Sequence, residues 1–415
     1  MTRPNAPMSD DFLPLPAEEW AAHEGVPLLK TLAQALLILE DTAGLESFTL
    51  PYPAEAQRAL DRTALACLVR GEEPPASLAE LIDRCRTLPL AEWPLDLPAD
   101  AAGPQDMLLD PVSGRPGDLC HEWAERCPDT AARFRDRMIV HTALRLCREH
   151  GEEEAYTEFR RLLVRRPVLT VAELSALGGD LVLEPVHELI MRIYQDVPDS
   201  YLRNDHYTTC GRCLTLLVPV RDGSWWCERD RCRRTGPAPL GRRLERATTG
   251  RPVQLERPLR QFVTGPGRAE ADLERQLLDL GLDVRMWPGY DAYDLLVTFP
   301  DGHRWAIDVK DWAHPVFLGR SARPVPADPP YDDGFWVVPQ YRVAARPGYL
   351  AAFARARPAR ARGLPLLTDR ALVSRATARL REIGTPRPRP RPRPRAAGLT
   401  TTRTNRTTPD GARHA

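Results

Sequence analysis

Tyr293-Asp-Leu-Leu-Val-Thr-Phe299-Pro-Asp-Gly-His-Arg304-Trp-Ala-Ile-Asp-Val-Lys310 is the stretch whose reading decides the fold of the C-terminal half. Residues 293–299 and 304–312 are two β-type runs on either side of Pro300-Asp-Gly-His303, a strong hairpin signal. A three-residue loop, Asp301-Gly302-His303, sets Asp294 opposite Lys310. One face of the hairpin then holds Leu295, Val297, Phe299, Trp305, Ile307 and Val309, all apolar. The other holds Asp294, Leu296, Thr298, Ala306, Asp308 and Lys310. A slip of one residue would turn acids into the core, so the pattern itself selects the faces. Lys310 is unusual in this chain, because of 57 basic residues only it and Lys30 are lysines. Arginine keeps its proton and presents a rigid fork, whereas lysine is a compact charge that its surroundings can tune.

Upstream, Pro266-Gly-Arg-Ala-Glu270-Ala-Asp-Leu-Glu274-Arg-Gln-Leu-Leu-Asp-Leu-Gly281 reads as an amphipathic helix closed by glycine, with Leu273, Leu277, Leu278 and Leu280 on its apolar side. An Asp-x-Lys alone would suit a solvated surface hairpin. With the helix and Asp294 beside it, the constellation resembles the PD-(D/E)xK restriction-endonuclease fold. That resemblance implies Asp294 as the first acid, Asp308 and Lys310 as the final pair, and a glutamate from the helix. Glu270 fits better than Glu274, because it stands about three turns before Gly281. The motif's proline is replaced by Tyr293. The implied chemistry is phosphodiester hydrolysis assisted by Mg²⁺ or Mn²⁺, a hard cation bound through oxygen. Asp294 and Asp308 would hold the ion with help from the Val309 carbonyl, and Glu270 would be an auxiliary ligand. Lys310 would orient or activate the attacking water and stabilise charge on the phosphorane.

Cys210-Gly-Arg-Cys213 and Cys227-Glu-Arg-Asp-Arg-Cys232 form two short-spaced pairs. Such pairs predict a zinc ribbon with four thiolates around one structural Zn²⁺, since four ligands leave no open catalytic position. Its expected strands are residues 214–220 and 224–226, turned at Arg221-Asp222-Gly223. Cys67, Cys85, Cys120, Cys127 and Cys147 fall in helical patterns as small buried hydrophobes. With no signal peptide, the expected setting is reduced and cytoplasmic.

Length and pattern suggest several domains. We expect a helical interaction domain over residues 1–200, the ribbon over 203–236, a basic linker over 237–257, the nuclease domain over 258–384, and a disordered Pro/Arg tail over 385–415. The fold class is thus multidomain α and α+β, with an α/β/α nuclease domain. No apolar run is long enough to span a bilayer. The net charge is zero, but from Arg346 onward 17 basic residues face 3 acidic ones, and between Arg231 and Arg260 nine arginines face Glu245 and Glu256. Such segments point to a polyanion partner. Arg304, Trp312 and Arg320 are close enough in sequence to Lys310 to touch nucleic acid. In the N-terminal half, helical periodicity covers residues 17–40, 54–70, 76–88, 118–165 and 184–196. Thr170-Val-Ala-Glu173 reads as a capping box. Glu152-Glu-Glu154 reads as a solvated helix start, and His121, His141 and His150 as ordinary helix residues. This half shows no catalytic constellation.

The order of helical region, ribbon and nuclease, with Trp287-Pro-Gly-Tyr-Asp-Ala-Tyr-Asp-Leu295 and Trp305-Ala-Ile-Asp-Val-Lys-Asp-Trp312, resembles the endonuclease-type subunit of prokaryotic pPIWI-RE systems. The resemblance is clearest from Tyr201 to Asp311. It implies a Piwi protein and a DinG-type helicase as partners, a role in defence against invading nucleic acid, and DNA or an RNA–DNA hybrid as ligand. A homodimer is consistent with nucleases of this fold that cut both strands. The alternative reading is a catalytically silent DNA-binding and docking subunit. A ribbon-type transcription or replication accessory is a further alternative.

Overall fold

The computed structural model describes residues 20, 23–42, 45, 50–98, 100–125, 131–220, 222–234 and 236–384. The expected Pro/Arg tail and Cys127 lie outside these residues. Among the described residues, no helix is long and apolar enough to cross a membrane.

Helices Gly25–Thr42, Ala54–Val69, Leu78–Thr87 and α1 (Asp118–Glu125) follow the expected apolar periodicity and share one core. Leu29, Leu36, Leu81 and Trp123 are buried in it, as are Cys85 and Cys120. This core also takes in Val316, Phe317 and Ala352, so the N-terminal helices are packed directly on the C-terminal domain. A second core forms between Ala131–His150, α2 (Glu153–Arg165) and a short antiparallel sheet. In that sheet Val253–Leu255 lies between Val168–Leu169 and Tyr194–Asp196. The capping box forms, with the Glu173 amide donating to Thr170 Oγ1 at 3.1 Å.

The stretch 237–257, expected as a linker, is ordered and contributes two strands. Leu240–Glu245 pairs with His206–Cys210, and Val253–Leu255 is central in the small sheet. Its arginines concealed this, because Arg242 and Arg243 lie on the exposed face while Leu244, Val253 and Leu255 are buried. The expected strands at 214–220 and 224–226 shrink to Val218–Pro219 and Trp225–Trp226.

The C-terminal domain is a five-stranded mixed sheet. Its strands are β1 (Asp283–Met286), β2 (Leu295–Thr298), β3 (Arg304–Val309), β4 (Asp333–Val338) and β5 (Leu366–Thr368), in spatial order β5-β4-β3-β2-β1. The β3–β4 and β4–β5 pairs are parallel, and the other two are antiparallel. Helices α3 (Gly265–Asp279) and α6 (Asp369–Gly384) cover one face through Leu273, Leu277, Leu372 and Ala376. Helix α4 (Pro315–Arg320) and helix Tyr349–Ala356 cover the other, through Leu318, Tyr349 and Phe353, and α5 (Gln340–Ala345) precedes the latter. The domain is an α/β/α sandwich, so the polar face of the hairpin is covered by protein. The predicted apolar face is wholly buried. On α3, however, Leu278 is 48 % exposed and lies off the apolar stripe.

The hairpin register differs from the expected one by two residues. Ile307 faces Leu295, Trp305 faces Val297, and the Phe299 amide donates to the His303 carbonyl. The loop is therefore Pro300-Asp301-Gly302. Two local facts select it. Proline has no N–H for a terminal ladder pair, and Gly302 adopts the left-handed conformation (φ 82°) that closes such a three-residue loop. A shift of two preserves both faces but moves Asp294 from opposite Lys310 to opposite Asp308.

Candidate active site and cysteine centre

The β2–β3 ladder ends at Leu295 and Ile307, and beyond it the strands separate. There the side chain of Asp294 takes the place of a backbone acceptor: its Oδ2 accepts the Val309 amide at 2.5 Å. The Val309 amide thus fixes the Asp294 carboxylate. Lys310 Nζ donates to Asp308 Oδ1 and lies 5.2 Å from the centre of the Trp336 ring. Asp294 is 8 % exposed, and burial, then the neighbouring Glu270 and Asp308 charges, hold its carboxyl well above the usual range. Burial also works against the Lys310 ammonium, but Asp308 and Asp294 outweigh it and raise its pKa.

Glu270 projects from α3 toward the same cluster and is buried. Burial raises its pKa to about 7 against the pull of Arg160. Its Oε2 accepts Trp287 Nε1–H at 2.7 Å and lies 3.7 Å from Arg160 Nη2. Glu274 faces away from this cluster, paired to Arg165 at 2.9 Å.

Arg160 is the residue the sequence did not reveal. It comes from α2, in the half read as lacking chemistry, and reaches Asp291 (Nε to Oδ2, 3.5 Å) as well as Glu270. Gly267 explains how: a Cβ there would lie 2.3 Å from Val164 Cγ2, so only glycine lets α2 approach α3 this closely. Arg160, one turn before Val164, then meets Glu270, about one turn after Gly267. Helix α2 also holds the loop that leads into β2. In that loop Trp287, Tyr290 and Asp291 adopt positive φ (47°, 59° and 68°), a strain of about 1–3 kcal/mol each. Tyr156 O–H donates to Asp291 Oδ2 at 3.0 Å, and the Gly289 amide donates to Glu153 Oε1 at 2.8 Å. Glu153 also pairs with Arg285 at 2.6 Å, so it is a docking residue and not a merely solvated helix start. No spacing rule marks one arginine among so many, so Arg160 carried no usable sequence signal.

A second set of contacts grips the chain just after Lys310. Asp311 is buried and accepts from Tyr341 O–H and from Arg342 Nε at 2.6 Å. Arg342 continues to Asp118 at 2.6 Å, and the Asp118 amide donates to Asp230 Oδ2 at 2.7 Å. Glu122 of α1 accepts the amides of Ala313 (2.5 Å) and His314 (2.8 Å). A cavity of about 340 Å³ opens beside these groups, lined in part by His121, Arg160, Arg229, Phe262, Trp312 and Arg342. His121, expected as an ordinary helix residue, is buried at its wall, where desolvation lowers its pKa to about 3.

Of the residues suggested for nucleic-acid contact, Trp312 lines this cavity, and the Arg320 guanidinium stacks 4.0 Å from the Trp20 ring. Arg304 begins β3, six residues from Lys310, and so lies roughly 20 Å from it.

Cys210, Cys213, Cys227 and Cys232 are all buried, and their Sγ atoms lie within 4.8 Å of one another. Four thiolates at about 2.3 Å from a tetrahedral ion stand roughly 3.8 Å apart, so this set can hold a metal ion. Among the described residues Glu270, Asp294 and Asp308 are not drawn that close as a set. Their oxygens are nevertheless the donors a hard cation takes, and their mutual repulsion is what such a cation relieves.

Two family models match the chain. Residues 28–170 match the pPIWI_RE three-gene island domain Y, and residues 267–383 match the REase associating with pPIWI_RE. No curated protein and no solved structure matches it. The second match covers the sheet and its helices, including Glu270, Asp294, Asp308 and Lys310, whereas Arg160 lies within the first.

Proposed function

We propose, from the match of residues 267–383 to the REase associating with pPIWI_RE, that this chain is a metal-dependent endonuclease hydrolysing phosphodiester bonds, with DNA as substrate. The observation that supports this most is the splayed end of the β2–β3 hairpin. Asp294 is fixed there by the Val309 amide and faces Asp308, which holds Lys310, with Glu270 behind. Asp294 and Asp308 would bind Mg²⁺ or Mn²⁺, with Glu270 as auxiliary ligand. When bound, the ion lowers the cost of bringing an anionic nucleophile to an anionic phosphodiester.

The chain's own residues divide the remaining work. Lys310 would orient or activate the attacking water and donate to the phosphorane oxygens. Trp336 and Asp308 fix its direction. The four cysteines would bind Zn²⁺ as a structural centre, because thiolates suit a soft ion and no ligand position stays open. The matched family ties the chain to a pPIWI_RE protein as partner, and a DinG-type helicase follows from the resemblance.

One observation favours the second reading, a silent docking subunit. Asp294 and Glu270 are buried and Lys310 is tied to Asp308, so the cluster is closed to a large substrate in this arrangement. A plasmid-nicking assay separates the two. Metal-dependent nicking that disappears in Asp308→Ala is expected of the nuclease. Absence of nicking by the wild type, alone and with its pPIWI_RE partner, would leave the docking role. Equal nicking by wild type and variant would show that the activity does not belong to this cluster.

A further inference from the structure

A groove of about 240 Å³ runs between the cysteine knuckles and helix α3, and Arg229 and Asp311 line both it and the larger cavity. Arg212, Arg231, Arg268 and Arg275 line it, with Asp272 as the acid among them. Three of these guanidiniums share the one carboxylate of Asp272: Arg231 at 2.7 Å, Arg275 at 3.2 Å and Arg268 at 3.9 Å. The other acid in the wall, Asp311, is already held by Arg342, and Arg229 faces Asp118. Arg268 is the telling member. Its Nε is buried with no hydrogen-bond partner among the described residues, and burial together with the like charges of Arg231 and Arg165 presses against its own charge. A buried donor left unmade costs free energy, and so does crowding like charges. Both are relieved by an anion with several acceptor oxygens.

We propose that this groove binds the phosphodiester backbone of a nucleic-acid strand and leads it from the cysteine knuckles toward the cavity lined by Arg160, Asp311 and Trp312. Resting on the nuclease reading, it gives the ribbon a second role, as one wall of a substrate track. A run of phosphates fits this wall better than a single ion does. The arginines are spread along it on two separate elements, and Arg275 at its rim remains 68 % exposed. Guanidinium forks suit phosphate oxygens bidentately. Asp311 in its wall directly follows Lys310 in the chain.

The test is fluorescence anisotropy with labelled single-stranded and duplex DNA on the full chain, in buffer without Mg²⁺ so that cleavage plays no part. The double variant Arg231→Gln/Arg268→Gln is compared with wild type and with a charge-matched control, Arg58→Gln/Arg70→Gln, on an exposed helix face. Between about 50 and 200 mM salt, the groove variant should lose close to two phosphate contacts from the slope of log affinity against log salt. Its affinity at the lower salt should fall by roughly tenfold or more, with the control unchanged and zinc content equal in all three. An unchanged slope overturns the proposal, and so does an equal loss in the control. Loss of zinc in the groove variant overturns it in favour of arginines that merely balance the thiolates. If the wild type ignores DNA but binds polyglutamate in a groove-dependent way, the ligand is an acidic protein and the proposal fails. Because the readout is binding, a nuclease that fails to nick leaves this test intact, and a failed groove leaves the nicking assay intact.

Discussion

Four thiols from one stretch, Cys210 to Cys232, meet within 4.8 Å, whereas the carboxylates Glu270, Asp294 and Asp308 stay further apart and depend on Arg160 from another domain. The contrast is physical. Short-spaced cysteines on two knuckles close on a point because the local turns leave them no other arrangement, and a metal repays the crowding of charge. Carboxylates repel, so the fold must hold each in place by something else. Here these are a backbone amide for Asp294, an ammonium for Asp308, and an indole with a guanidinium for Glu270. One centre is a property of local sequence. The other is a property of the assembled molecule.

The largest effect should come from breaking the local centre. Chelation, or Cys213→Ser, should release the metal and unfold the ribbon, since structural zinc couples on the order of 10 kcal/mol of binding to folding. Calorimetry with metal stoichiometry reads this, and a ribbon that keeps its transition without metal would break the comparison. Lys310→Ala should lower metal-dependent nicking by about 10²–10³-fold, the usual loss for one charge-stabilising donor, while leaving zinc content untouched. Lys310→Arg should not restore it, because a planar, delocalised fork does not present the compact point charge that lysine offers to the attacking water.

What was legible in the sequence follows the same division. The hairpin faces, the helix ending at Gly281 and the cysteine set could be read because each rests on contacts within a few residues. Gly281 adopts positive φ, and the Leu282 amide closes back on Leu277 as a glycine C-cap requires. The register was misread by two because face patterning is blind to even shifts, and only Pro300 and Gly302 distinguish the loops. The strands within 237–257 were hidden by arginines whose outward side chains say nothing of the leucines between them. Arg160, Glu153 and Asp118 were missed because their partners lie more than a hundred residues away.

Arg160→Met tests whether the second centre is in fact assembled across domains. Removing the guanidinium leaves buried Glu270 and half-buried Asp291 without their shared cation. Breaking such a buried pair costs about 3–5 kcal/mol. Urea denaturation should show this loss, with Arg160→Lys recovering part of it. A variant as stable as wild type would mean that Trp287 and Tyr156 suffice to hold the acids, and that the dependence on α2 is slight.

The smallest effect concerns Glu122, which clamps the chain at Ala313 and His314, just past Lys310. Burial pushes its pKa up to about 7, from an ordinary value of about 4.5. A carboxyl whose folded pKa is raised contributes stability that is complete below the unfolded value and is lost as pH climbs through the folded one. Wild type should therefore lose up to about 3 kcal/mol between roughly pH 4.5 and pH 7, and little more above that. Glu122→Gln cannot ionise at this position, so its urea midpoint should decline less steeply than that of wild type, the slope left over belonging to groups such as Glu270. Parallel profiles would mean that the two amides keep the carboxylate charged throughout. The grip on the strand beyond Lys310 would then be independent of pH, and the assembled centre would be as rigidly fixed as the local one.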